Sequence, residues 1–568
     1  MSEGQQTAER RELFGLHVPC AGPSGALDPD VRPKAVAQWL SQLPLADPNQ
    51  SAGRIAALLG RANTIALSPG QRFRMAESLR QPTLPLVDAL IREATRRGLP
   101  VAERTLPLAD LARTVLNTLA DAYKLVVVDS LPPRGRTDQD LLAHASQRAL
   151  GALQRLLLLD YHLYAPATPG CWRELHRLSA LAQTYGFEPY SVVDPLQPGG
   201  RDSVGLAYRS ALLLALANPY RLRPAELRAL RPLVQRYAAG VKLQPPGEVA
   251  AFCMARDSDS PPGSAPASAA AVGISLDGVI AAAQGDLRQQ NDDLLARLLQ
   301  GWSRPARRQY SRAPHHVQVR VVFGLGALNW ILDRDSADTE RPSRRPPEAP
   351  KAAALELLAA PPGDFSAQQS WDCDNSRHFA ATLRTSTVAR RSERTVALPE
   401  PVYREHNLAT VDTSAQGYCL LWEDSGPAPA KVGELLGLWN MPTGQWTVGV
   451  VRWLQYLRRR GIKMGVEMIA PRAEPACIRR SDRDDAVLHL PAMTALGKPA
   501  TVLTASGEYR IGNSVRMSAG GHTLRVRLTE ALEVNRSFMR FGYTVIGEAP
   551  AEQRDAGDEP SLVPLAPR

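Results

Sequence analysis

The chain has 568 residues and a net charge of +10, with 44% apolar and 22% charged residues. That length exceeds one ordinary hydrophobic core and implies roughly two to four domains, and the composition excludes a wholly disordered or fibrous protein. Only seven of the 67 cationic residues are lysine; arginine offers a planar fork to phosphate and to guanine edges, so the placement of the arginines matters more than their number.

Six cysteines are scattered with no CxxC, which points to reduced, mostly buried thiols and no metal site. The opening residues, MSEGQQTAERRELFG, lack the apolar stretch of a secretory signal. No run reaches the ~18 apolar residues of a membrane span. The expectation is a cytoplasmic protein without membrane insertion.

In chain order, residues 1–34 read as a flexible N-terminus and 35–302 as an α-helical domain. QRALGALQRLLLLDYHLY (147–164) and DSVGLAYRSALLLALANPYRL (202–222) place apolar residues at helical spacing, and RPAELRALRPLVQRYAAGV opens with Pro224 and Glu226 where a first helical turn favours them. LVVVDS (125–130) has no accompanying GxxxxGK[ST] and reads as a buried element. Glu174 and His176 in WRELHRLSALAQ read as helix surface or core. DSDSPPGSAPASAAA, within 257–271, is a low-complexity segment expected to be a mobile loop, and LLARLLQGW (294–302) is a further helix.

The period then changes. VQVRVVFG (317–324), QWTVGVVRWL (445–454), GIKMGVEMI (461–469), AVLHL (486–490), ATVLTASGEYRIG (500–512), HTLRVRL (522–528) and FMRFGYTVI (538–546) are β-branched or aromatic with period-two alternation. GLGALN (324–329) reads as a turn or bulge after the first strand. Short strands in series suggest an antiparallel β-barrel with extra strands over 303–548. An insertion over about 334–400 and the tail 549–568 are rich in proline and charge and expected to be disordered. The fold class is therefore α+β and multidomain.

RRQYSR, Arg307 to Arg312, stands directly before VQVRVVFG, and VDTSAQG (411–417) lies in the next strand-like run. With the later GVVRW (449–453) and GVE (465–467), these resemble the PilZ domain, a small β-barrel that binds cyclic di-GMP through RxxxR followed by [D/N]xSxxG. The resemblance implies a ligand site of Arg307, Arg308, Arg312, Asp412, Ser414 and Gly417, with cyclic di-GMP as ligand and no separate cofactor. The chemistry agrees: guanidinium groups serve phosphates and the guanine O6/N7 edge, a carboxylate accepts from guanine N1–H and N2–H, Ser414 donates, and Gly417 admits close backbone approach. The roughly 100 residues between the motifs depart from the family's pattern. RRSER, with Arg390 and Arg394, is a second RxxxR nearer Asp412. The first is favoured because it leads directly into a strand.

What this implies is a cyclic-di-GMP-binding effector that passes second-messenger level to an unidentified protein partner through its helical domain, in type IV pilus, motility or biofilm control. The alternative is a degenerate adaptor whose barrel binds protein partners without nucleotide. No nucleophile–base set is distinguished, and no GGDEF signature occurs, so no catalytic residue is expected and the protein is not read as an enzyme. Its positive charges are dispersed and carry no nucleic-acid-binding motif, so nucleic acid is not an expected partner.

Overall fold

The computed structural model describes residues 14–19, 32–96, 103–196, 202–245, 251–264, 271–290, 292–303, 311–339, 403–423, 430–441, 443–458, 460–479, 484–494 and 497–548. Helices α1 (Pro33–Ser41), α2 (Pro48–Ala62), α3 (Pro69–Thr95), α4 (Leu106–Ser130), α5 (Arg136–His162), α6 (Cys171–Thr184), α7 (Val204–Leu216) and α8 (Pro224–Tyr237) build the N-terminal part. Several begin on proline, whose fixed φ and missing N–H suit the first helical turn. Asp47 caps α2 by accepting from Asn49 N and Gln50 N, and Ser68 with Gln71 forms a capping box on α3. LVVVDS lies within α4, and Val126, Val127 and Val128 are buried.

Three expectations for this part need correction. Residues 14–18 are fixed rather than flexible: Phe14, Leu16 and Val18 are buried, Lys124 Nζ donates to His17 O at 2.6 Å, and Arg177 Nε donates to Phe14 O at 2.8 Å. The span read as wholly helical also holds an antiparallel sheet of β1 (Lys242–Gln244), β2 (Phe252–Met254), β3 (Gly263–Ser264) and β4 (Val272–Ser275), in the order β1-β4-β2-β3. The start of the low-complexity stretch is anchored, because the Asp259 carboxylate accepts from Gly170 N at 2.5 Å and Arg173 N at 3.1 Å and so caps α6. His176 is buried in the core, with Nδ1 on Tyr208 Oη (2.8 Å) and Nε2 on Ser260 O (3.0 Å). Glu174 is buried too, paired with Lys124.

After α9 (Asp277–Gln289) and α10 (Asp293–Ser303) come β5 (Ala313–Pro314), β6 (Gln318–Phe323), α11 (Leu325–Thr339), β7 (His406–Ser414), β8 (Gly417–Trp422), β9 (Leu435–Asn440), β10 (Gln445–Leu457) and β11 (Gly461–Ala470). The sheet order is β5-β7-β6-β9-β10-β11-β8, and pairing of β7 with β8 closes it into a ring. GLGALN is more than a turn: Gly324 takes a positive φ of 93° and a helix starts at once, α11, which continues to Thr339 into the stretch expected to be disordered. The span expected as one barrel with extra strands holds two. β12 (Glu474–Arg479), β13 (Asp484–Leu490), β14 (Thr501–Ala505), β15 (Ser514–Ala519), β16 (His522–Val534) and β17 (Phe538–Glu548) close a separate barrel in the order β12-β13-β14-β17-β16-β15.

Helix α11 is wedged between the two barrels. Leu328 and Ile331 share one buried apolar cluster with Leu435 and Val448 of the central barrel and Leu488 and Phe538 of the C-terminal one. Gly437 makes room for it, since a Cβ there would sit 2.2 Å from Leu328 Cδ1. Asn329 Nδ2 donates to Ala476 O (3.1 Å) and Val487 O (2.6 Å), so the wedge is also hydrogen-bonded to the second barrel.

Charge completes the junction. Register shifts between Val451 and Trp453, making Arg452 the extra residue of a bulge that aims it outward. Its guanidinium pairs with Glu467 on β11 and donates to Glu533 Oε1 on β16 at 2.6 Å. Burial opposes its charge, but Glu533 and Glu467 outweigh that and raise its pKa further. The helical part is tied on as well: Tyr456 N donates to Tyr164 O at 2.7 Å, and Arg458 Nη2 meets Asp110 Oδ2 at 2.6 Å. Arg223, at the head of α8, reaches both barrels, with Nε on Val432 O (2.9 Å) and Nη2 on Ser537 Oγ (3.1 Å).

Two outcomes are expected. Arg452→Ala strands two partly buried carboxylates and should lower unfolding free energy by about 3 kcal/mol, while Arg452→Met should cost less; urea denaturation of both variants checks this, and equal stability of Arg452→Ala and the parent rejects the triad as a structural tie. The second concerns acid. Burial, with Arg228 adding to it, lowers His162 to about 4, and burial likewise lowers His176. Their folded values lie below the unfolded value of about 6.5, so the stability they contribute is full above that pH and lost as pH falls toward 4. The melting midpoint should decline across that window, and His162→Phe should flatten part of the decline; an unchanged slope in that variant counts against it.

Candidate functional site

The sequence motif VDTSAQG is not a single strand. Asp412 and Ser414 end β7, Ala415 and Gln416 make the turn, and Gly417 opens β8. An Ala-Gln turn lacks the Asn-Gly or Asp-Gly signature of two-residue hairpins, which is why the sequence reads through it as strand. Ser414 Oγ donates to Gly417 O at 3.4 Å across the turn. Gly417 pairs with Glu467, and a Cβ on it would lie 2.1 Å from Val466 O, so no other residue lets β8 approach β11 this closely.

β5 and β6 lie along the same edge of β7. Pro314 faces Asp412 and Gln318 faces Ala409, with an irregular step at residues 315–317. The buried Thr410 satisfies the groups freed there: its hydroxyl accepts from Val317 N (2.9 Å) and donates to His315 O (2.6 Å). His315 Nδ1 also lies 2.9 Å from that hydroxyl. This step sets the direction in which the chain before Ala313 leaves the sheet, and so the position of Arg312.

Arg312 arrives beside Asp412. Its Nη1 donates to Asp412 Oδ1 at 2.8 Å, joining residues 100 apart in sequence, and both side chains keep partial exposure, 25% and 21%. Cys419 faces Asp412 across the hairpin. Burial, with the Asp412 charge adding to it, pushes the Cys419 thiol up to about 12, so it stays protonated and is no thiolate nucleophile. Lys463 on the neighbouring β11 acts on Cys419 in the opposite sense. It is a second cation at this face that the motif reading passed over, although its place on the polar side of GIKMGVEMI was visible.

The structure thus brings together Arg312, Asp412, Ser414 and Gly417. Arg307, Arg308, Arg390 and Arg394 lie outside the described residues. Trp422, Trp446 and Trp453 are buried. Chemically, the cluster offers a carboxylate already paired with a guanidinium on a partly open barrel face, an arrangement in which one partner of each group is exchangeable for a ligand.

Comparison with known proteins agrees with this fold. Residues 34–247 match the model of the N-terminal domain of the cyclic-di-GMP receptor FimW, 281–475 that of its middle PilZ domain, and 480–546 that of its C-terminal β-barrel domain. The cyclic-di-GMP receptor FimW of Pseudomonas aeruginosa is 28% identical over 596 residues, spanning 97% of this chain and 96% of that protein. No solved structure matches. Among the described residues no helix is long and apolar enough to cross a membrane. With each of its three parts matched to the corresponding domain and the PilZ barrel in the middle, the chain belongs to the FimW family of PilZ-domain proteins.

Proposed function

We propose that the protein is a cyclic-di-GMP receptor whose ligand docks on the outer face of the central barrel, between the arginine lead-in and the β7–β8 hairpin. The observation that carries this reading is the 2.8 Å contact between Arg312 and Asp412, one residue from each motif. The family relationship and the name of the Pseudomonas aeruginosa relative support it.

In the free protein each of these groups neutralises the other, which avoids leaving a half-buried carboxylate unpaired. A guanine edge replaces the guanidinium at Asp412, offering N1–H and N2–H, and Arg312 turns to a phosphate or to the O6/N7 edge of the base. Arg307 and Arg308 supply further guanidinium groups for the phosphates, while Ser414 bridges the turn and Gly417 holds the hairpin close to β11. The exchange is nearly balanced in charge, so affinity comes from the second arginine and from stacking.

The output follows from connectivity. Gly417 pairs with Glu467, whose carboxylate holds Arg452, which in turn grips Glu533 of the C-terminal barrel. A shift of the hairpin therefore bears on the junction between barrels. We assign the readout to a protein partner of the helical part, and the shift available to it is limited by the difference in ligand affinity between the two arrangements.

Calorimetric titration of cyclic di-GMP into the full chain tests the site. Arg312→Ala and Asp412→Ala should each weaken binding by about tenfold or more, the scale of a lost charge-assisted hydrogen bond. Arg390→Ala/Arg394→Ala should bind as the parent does. Parent-like binding by the first two variants removes the site from this face, and absence of any heat with the parent makes the barrel an interaction module without nucleotide. Ligand should also protect the segment 303–313 from protease; unchanged cleavage at saturation argues against ordering of the lead-in.

A further inference from the structure

The helical part contains a cleft that the barrel site leaves unused. Arg80 and Leu84 of α3, Arg148, Gly151 and Arg155 of α5, Arg231 of α8 and Asp194 surround about 310 Å³ of empty space, part of it open to solvent. Nothing lies within 4 Å of where a Cβ on Gly151 would be, which keeps that wall open.

The arginines differ in how well they are matched. Arg80 is satisfied by Asp194 through two bonds of 2.9 and 2.6 Å. Arg148 donates to Glu77 Oε1 at 3.1 Å and to Val193 O at 3.0 Å. Arg155 has a 3.2 Å contact with Asp88, itself half exposed. Among the described residues Arg231 has no such partner, and its buried Nε lacks any hydrogen bond. Burial, then the nearby Arg155, lowers Arg231 to about 10, and burial lowers Arg155 as well. Two guanidinium groups thus converge on a concave, weakly screened space with less negative charge than they need, a geometry that focuses positive potential.

We propose that this cleft binds a phosphoryl dianion, supplied by inorganic phosphate or by a small phosphate monoester, with Arg155 and Arg231 as its forks. A tetrahedral dianion offers oxygen pairs to both groups at once, whereas a carboxylate is satisfied by one fork. The cleft is narrow and partly open to solvent, and admits a compact anion at its mouth rather than a dinucleotide.

The test uses the full chain in chloride buffer of constant ionic strength, titrated with sodium phosphate and, separately, with phenyl phosphate, followed by calorimetry and melting. The parent should show saturable binding and a raised melting midpoint. Arg231→Met and Arg155→Met should each lose about tenfold or more in affinity, while the exposed Arg92→Met should not change. Tighter binding of phenyl phosphate identifies a monoester ligand, and equal or tighter binding of phosphate identifies the free ion. Arg231→Met removes a partly buried cation whose Nε has no hydrogen bond and should melt no lower than the parent without ligand, so its loss of response is separable from misfolding. Absence of saturable binding with both probes overturns the proposal, as does undiminished binding by Arg231→Met and Arg155→Met or an equal loss in Arg92→Met.

Discussion

The pairing of β6 with β7 is the constraint on which the rest of the site depends. It sets Val319 against Leu408 and Val321 against His406 across the whole span from 340 to 402. Closing such a loop costs entropy that grows only with the logarithm of its length, about 0.6 kcal/mol per doubling. A long insertion therefore weakens the barrel little, provided that Val321 and Leu408 stay buried in its interior. Once this ladder forms, β5 follows along the same edge and brings Arg312 to Asp412. Without it, Arg312 and Asp412 are strangers.

The arginine-rich composition acquires a structural meaning beyond ligand binding. Arg72 donates to Ala62 O and Ile65 O at 2.7 and 2.8 Å, Arg177 to Phe14 O, and Arg223 to Val432 O. In each case a long, forked donor reaches backbone carbonyls that secondary structure leaves unpaired, which a compact ammonium does less well. Where carboxylates are buried instead, as at Asp194 and Glu533, the fork takes both oxygens. These contacts tie segments that are distant in the chain and fix how the parts meet.

The fold was legible wherever periodicity was strong. The Leu-rich stretch at 147–164 lies in α5 up to His162 and the alternating stretch at 461–469 falls within β11, and the two motif halves were found because arginine and carboxylate chemistry suits one ligand. What escaped was set by partners outside the local window. The capping of α6 by Asp259 turns a nominal linker into an anchored segment. The strand EPACIR of β12 begins with proline at its second position and reads as loop until β13 and β15 pair with it. GLGALN has too few polar residues on any face to announce a surface helix, because α11 is covered by a barrel on each side. The second barrel was visible as strands but not as a separate body, since closure is a property of pairing and not of any one strand.

One feature of α11 bears on what the insertion does to the molecule. The chain leaves the described structure at the end of α11 and returns at Tyr403, whose ring packs 5.9 Å from Trp330, while Glu405 meets Arg334 at 3.2 Å. Departure and return therefore share one small patch on the helix that separates the barrels. Any displacement of either flank, at Arg334 or at Tyr403, is therefore delivered to the wedge itself, and its immediate neighbours are the two barrels.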